Sequence, residues 1–161
     1  MIGVTTDPEM GEGILTRHAP DTLPDLLLRT ANADTDVERR TMVEAQITGG
    51  DHLLALNDLF IGHRSHQSAR YDIRFGDIEE YQSSSGVIVA SGTGLTGWAR
   101  SVMASTSAVY DFAPDAASAA FFAREPWPSK TTGTQSKKLV LAQNLYQVTQ
   151  HGHHHQTVSN D

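Results

Sequence analysis

Two hydrophobic periods divide the chain. Leu23, Leu26 and Leu27 follow helical spacing within Asp21 to Asn32, where Asp21 or Thr22 can cap the helix and Pro24 is tolerated in its first turn. Further on the period falls to two: Val43, Ala45 and Ile47 alternate with Glu44, Gln46 and Thr48, and Tyr71, Ile73 and Phe75 with Asp72 and Arg74. That alternation predicts half-buried strands. Phe75-Gly76-Asp77 offers a turn into a strand over Ile78 to Gln82, which would close a hairpin. Continuous apolar runs, Leu53 to Ile61 and Val87 to Ala90, predict strands buried on both faces, and Ser118 to Arg124 and Lys138 to Ala142 predict two more. Ile2, Gly3 and Val4 read as the end of a buried strand before a turn at Thr5-Thr6-Asp7-Pro8. No solenoid-length repeat is present. The expected architecture is mostly β, of α+β class, with a few helices. The segment 143–161 is a polar, His-rich tail, and from His151 onward it offers almost nothing to pack, so disorder is expected there.

Composition narrows the function. With 161 residues, 39% hydrophobic and 19% charged, the chain can bury the core of one domain. A net charge of -7 opposes non-specific attraction to nucleic acid or anionic lipid. Cysteine is absent, which removes thiol chemistry and zinc thiolates from consideration. No apolar run approaches the ~18 residues of a membrane span, and no basic stretch precedes an apolar one at the N-terminus. A cytoplasmic or organelle-matrix location is expected.

Two breaks in the pattern carry candidate chemistry. Asn57 and Asp58 interrupt the apolar run Leu53 to Ile61. Either a bulge or turn splits two short strands there, or the pair meets a polar ligand. An amide offers a donor and an acceptor to a base, and a carboxylate accepts two ribose hydroxyls. The second break, Ser91-Gly92-Thr93-Gly94-Leu95-Thr96-Gly97-Trp98, leads from the Val87 strand into a predicted helix from Trp98 to about Ala104. Glycines let a ligand approach the backbone, Thr93 and Thr96 offer hydroxyls, and Trp98 offers a flat face, although a plain connection explains the same residues. Gly92, Gly94 and Gly97 also match a dinucleotide fingerprint, with Asp111 after a possible strand Ala108-Val109-Tyr110. That Rossmann-type alternative fits the upstream hairpins poorly.

Taken together, Ala55-Leu56-Asn57-Asp58 and Ser91 to Trp98 resemble the NAD kinase family, whose pattern is an Ala-x-Asn-Glu/Asp strand followed by a Thr-Pro-Thr-Gly-Ser-Thr-Ala-Tyr-like loop. Ile2-Gly-Val-Thr-Thr-Asp-Pro-Glu9 with Gly13 is similar to the mitochondrial-type branch, and Arg124-Glu-Pro-Trp-Pro-Ser129 to its Arg-Glu-Pro segment. The resemblance implies a β-sandwich-like C-terminal domain over 1–142, with 1–20 as an entry segment from an N-terminal lobe. It also implies ATP-dependent, Mg2+-assisted phosphorylation of NAD at the adenosine 2'-hydroxyl. Carried over, Asn57 would contact adenine, Asp58 the ribose, Thr93, Thr96 and Gly97 the adenine, and Trp98 would stack on or wall the site. Ser85 stands where many members carry an Asp of a Gly-Asp-Gly segment, so no role transfers to it.

The family's Gly-Gly-Asp-Gly loop belongs ahead of the Ile2 segment. Gly49-Gly50-Asp51 lies elsewhere in the pattern and reads as a turn. The expectation is a truncated NAD kinase-like chain, inactive alone and prone to form homo-oligomers through apolar surface that the missing lobe would cover. The alternative is a non-catalytic adenine-nucleotide-binding or oligomerisation module. His151, His153, His154 and His155 are read as a solvated tail, His63 and His66 as surface residues, and Lys137-Lys138 as too short for a nucleic-acid patch.

Overall fold

The structure, a computed structural model, describes residues 1–7, 9, 13–142, 146–150 and 155–160. They form two compact units, 1–39 and 40–161. In the first unit Val4 makes an isolated parallel bridge to His18, and the amide of Thr5 donates to the His18 carbonyl at 2.9 Å. Ile2 to Val4 is thus half-buried irregular chain and not the strand end its composition suggests. Helix α1 spans Leu23–Ala31 after a 3-10 turn at Pro20–Thr22. Thr22 occupies the N-cap position but its hydroxyl donates backward to the Ala19 carbonyl and makes no capping bond.

The second unit is a pair of antiparallel sheets. One has six strands in the order β2 (His52–Ala55), β1 (Val43–Ile47), β10 (His155–Asn160), β9 (Tyr146–Gln150), β4 (Ala69–Phe75), β5 (Ile78–Ser84). The other has four: β3 (Asp58–Ile61), β6 (Gly86–Ala90), β7 (Ser118–Arg124), β8 (Lys138–Ala142). Val43, Tyr71 and Ile73 from the first sheet interlock with Ile61, Val87, Val89 and Phe121 from the second, which makes the layer between them the main core. The alternate residues Ile88, Ala90, Ala120 and Phe122 point the other way, where helix α2 (Trp98–Thr106) covers them with Ala99 and Val102. Strand β6 is therefore buried on both faces, and this explains its unbroken apolar run. Each such large side chain contributes on the order of 1.5–3 kcal/mol by its burial.

Three expectations change. Leu53 to Ile61 is not one deep strand: it splits at Leu56 and Asn57, and its first half is the edge strand β2, where Leu53 is 60% exposed. The run is apolar for two different reasons, an edge in one sheet and an edge in the other. The polar, His-rich tail 143–161, with disorder expected from its lack of packing residues, contains two strands: 146–150 and 155–160 form β9 and β10 and complete the six-stranded sheet between β4 and β1. Their polar, alternating composition disguised them. His155 opens β10, and His151, His153 and His154 lie outside the described residues. Finally, Ala108-Val109-Tyr110 is irregular and both sheets are antiparallel, which removes the Rossmann-type alternative.

The Phe75-Gly76-Asp77 turn forms as expected, with Gly76 at a φ of 54° and Phe75 opposite Ile78. Gly49-Gly50-Asp51 likewise turns β1 into β2, with the Gly50 amide donating to Ile47 at 2.9 Å.

Strand β5 carries polar groups on its inner face that the sequence did not signal as core. Gln82 and Ser84 are fully buried and meet the Tyr71 hydroxyl at 3.2 Å and 2.6 Å. Burial, opposed by the Ser84 hydrogen bond, pushes the Tyr71 hydroxyl up to about 12. The segment Gly133 to Ser136 closes this corner: Gln82 Nε2 donates to the Ser136 carbonyl at 3.0 Å, and the amides of Gln135 and Ser136 donate to the Glu80 carboxylate at 2.8 Å and 2.7 Å. Gly133 admits that carboxylate, because a Cβ there would meet Glu80 Oε1 at 2.2 Å.

Partial burial works to raise the Glu80 carboxyl, but the hydrogen bonds from Ser136, Gln135 and Gln82 outweigh it and hold the group below its ordinary value. The folded state thus favours ionised Glu80, so its contribution is full above the unfolded carboxylate pKa and is lost as pH falls through the lower folded value. Glu80→Gln is expected to cost about 1 kcal/mol in urea unfolding at pH 7, and the difference from the parent should shrink on acidification below about pH 4.

Candidate functional site

The two sequence breaks meet in space. Where the chain leaves β2 for β3, the carbonyl of Asn57 accepts the Ser91 amide at 2.9 Å, and the Ser91 hydroxyl donates to the Leu56 carbonyl at 2.5 Å and lies 3.2 Å from that of Asn57. Both carbonyls are freed by the strand split, and Ser91 satisfies them. Ser91 Oγ also accepts the Gly94 amide at 3.1 Å, which fixes the start of the loop.

Glycine is required here by close packing. A Cβ on Gly94 would lie 2.0 Å from the Asn57 carbonyl oxygen, and one on Gly92 2.3 Å from that of Ala113. Gly97 is different: its nearest neighbours would be the Gly94 carbonyl at 3.5 Å and the Asn57 amide nitrogen at 3.8 Å, ordinary contacts that place the Asn57 side chain beside it. Two of the three fingerprint glycines thus serve the backbone, and only the third opens outward.

The hydroxyls divide in the same way. Thr93 is fully buried and its Oγ1 accepts from Arg40 Nη1 at 2.9 Å, a contact across 53 residues that no local pattern announces. Thr93 belongs to the framework of the loop. Thr96 Oγ1 donates to the Thr93 carbonyl at 2.8 Å, and Thr96 is exposed together with Gly97, Trp98 and Asn57. Asp58 opens β3 opposite Ala90, half-buried, and burial raises its carboxyl above the ordinary value.

Trp98 begins α2 and is 40% exposed. Its ring lies 5.5 Å from that of Phe60, centroid to centroid, and the Arg124 guanidinium sits 5.2 Å from its centroid. Phe60 in turn rests on Gly86, where a φ of 121° and the 2.5 Å at which an added Cβ would meet that ring both exclude a side chain. With Arg124 against the indole, Trp98 forms a wall more readily than a free stacking platform.

Beside Trp98 a cleft of about 710 Å³ runs between α2 and the ends of β7 and β8, lined by Ser101, Ser105, Arg124, Lys137 and Lys138 among others. The Lys138 ammonium donates to the Thr106 carbonyl at the end of α2, where a cation suits the helix dipole. Sequence reasoning missed this cleft and passed over Lys137 and Lys138, because the partner of Lys138 comes from a helix 32 residues upstream. Among the described residues no group of three or more His, Asp or Glu side chains could hold a metal ion, and no helix is long and apolar enough to cross a membrane.

The class defined by this fold is an antiparallel two-sheet domain with a glycine loop and helix laid on its smaller sheet. The fold is that of NAD kinases. Yeast NADH kinase, solved with NADH, superposes with a TM-score of 0.69 at 14% identity over 92% of this chain and 48% of its own length. An NAD kinase from Archaeoglobus fulgidus, solved with ATP, gives a TM-score of 0.64 at 18% identity over 91% of this chain and 60% of its own. This chain thus spans about half the length of these enzymes. Its sequence matches no protein-family model and no curated protein.

Two measurements check the site. Gly94→Ala is expected to lose roughly 2–4 kcal/mol in urea unfolding, and Gly97→Ala less than about 1 kcal/mol. For Asp58, the raised folded pKa means that the ionised form costs stability at neutral pH, a cost that disappears as pH falls below the unfolded value. Asp58→Asn should therefore be more stable than the parent at pH 7, by less than about 1 kcal/mol because solvent still reaches the group, and equal to it below about pH 4.

Proposed function

We propose that this chain is the nucleotide-binding part of an NAD kinase-like phosphotransferase, with the adenosine of NAD seated where Asn57 meets the glycine loop. The observation that carries this reading is the junction itself: two motifs 34 residues apart are joined through Ser91 and leave Asn57, Thr96, Gly97 and Trp98 exposed at one edge. In this reading the Asn57 amide pairs with the adenine edge, Thr96 Oγ1 accepts from the exocyclic amino group while donating to Thr93, and Asp58 accepts the ribose hydroxyls. Trp98 walls the base, and Arg124 beside the cleft meets phosphate oxygens. Burial raises the Asp58 carboxyl above its ordinary value, and a perturbed carboxyl beside an exposed polar edge supports a binding role over a packing one.

The kinase fold and the NADH and ATP held by its two relatives support adenine nucleotides as ligands. A phosphoryl transfer step also needs a phosphate cradle and a metal. Among the described residues no group of three or more His, Asp or Glu side chains stands together as a metal cage, and Gly49-Gly50-Asp51 is a hairpin turn, so no transfer step is assigned to these residues. The second reading is a module that binds adenine nucleotide at the same edge of Asn57, Thr96, Gly97 and Trp98 without catalysis.

Calorimetric titration separates the possibilities. NAD is expected to bind saturably, Asn57→Ala to weaken it roughly fivefold, and Asp58→Asn to erase the preference for AMP over 2',3'-dideoxy-AMP. Absence of saturable binding by NAD, AMP and ATP to the folded protein would overturn both readings. Conversion of NAD to NADP by the purified chain with ATP and Mg2+ would favour the first over the second.

A further inference from the structure

The opposite side of the same unit carries a second concavity, of about 820 Å³, that shares no lining residue with the cleft at α2. Its floor is the outer face of the six-stranded sheet. Ala69 and Tyr71 turn inward, so Arg70 between them points outward, opposite Ser83 on β5. His63, His66 and Gln67 come from the loop between β3 and β4, and Trp127 from the segment after β7. The Trp127 amide is tied to the Ser83 carbonyl at 2.8 Å, yet its side chain remains 70% exposed.

The lining is made of donors. Among the described residues no Asp or Glu contributes to it, although acids outnumber Lys and Arg by 19 to 12 in the whole chain. Among the described residues, no hydrogen bond or ion pair engages the side chains of Arg70, His66, Gln67 or Trp127. His63 Nδ1 accepts the Ser65 amide at 3.2 Å, which leaves the hydrogen of the neutral ring on Nε2 as a further donor. A planar guanidinium suits an oxyanion in a two-pronged contact, and an exposed indole offers an apolar face to a ring.

We propose that this pocket is a second small-molecule site, one that holds the phosphate of a small organic phosphate on Arg70 and the neighbouring imidazoles while the ligand's ring lies on Trp127. The site is independent of the adenosine reading, because it uses none of those residues. A non-specific anion patch would spread over flexible lysines, but among the described residues no lysine lines this pocket.

The chain has two tryptophans, so a 15N-labelled sample gives two indole N–H signals, which Trp98→Phe assigns. Inorganic phosphate, ribose 5-phosphate and AMP are titrated at constant ionic strength, with sodium chloride as the control. The expected result is a saturable shift of the Trp127 indole with phosphate, reached at roughly tenfold lower concentration by ribose 5-phosphate, and weakened at least tenfold by Arg70→Gln. Arg70 lies on an outer face, so the amide spectrum of the variant should stay that of the folded parent. Partial retention by Arg70→Lys would support a charge contact. No saturable shift of Trp127, an equal response to sodium chloride, an unchanged response in Arg70→Gln, or a shift confined to Trp98 would each overturn the proposal.

Discussion

The carbonyl of Asn57 is the point on which the site depends. A chain that crosses from one sheet to another must release backbone groups from the first before it pairs in the second, and a released carbonyl beneath a packed loop needs a partner. Ser91 provides it with its amide, while its hydroxyl serves the neighbouring Leu56 carbonyl. Because the same hydroxyl accepts from Gly94, and Gly94 lies too close to Asn57 for any side chain, strand crossing and loop conformation are one arrangement. The exposed groups at 57, 96, 97 and 98 inherit their positions from it.

Double burial of β6 extends that arrangement through the unit. Val87 and Val89 hold the six-stranded sheet, while Ile88 and Ala90 hold α2, so a single five-residue strand sets the distance between the main core and the helix that carries Trp98. Arg40 adds a tie from the beginning of the unit to the buried Thr93 hydroxyl. The loop is thereby gripped from both of its sides, and its outward residues can be polar without loosening it.

The sequence revealed strands wherever one face was apolar and the other polar, and it revealed β6 through its continuous run. It also exposed the two motif breaks, since polar residues in an apolar strand and glycines before a helix are local signals. Long-range partners had no such signal. Arg40 is one charge in a polar stretch, Gln82 and Ser84 are ordinary polar strand residues until Tyr71 is seen against them, and β9 and β10 carry too few apolar residues to stand out. Leu53 to Ile61 misled for the opposite reason: one apolar run served two sheets, and hydrophobicity does not report which neighbour a strand pairs with.

Glu125 adopts a left-handed backbone, with a φ of 42°, immediately after β7. Such a conformation costs a non-glycine residue on the order of 1 kcal/mol and is kept only where its surroundings demand it. Here it turns the chain so sharply that Arg124 remains against Trp98 on the helix side while Trp127, three residues later, is fastened to β5 on the far side. One short stretch of backbone is therefore common property of two concavities that face away from each other. Four consecutive residues thus place a guanidinium on one indole and a second indole beside Ser83, and a change of backbone at Glu125 would displace both at once.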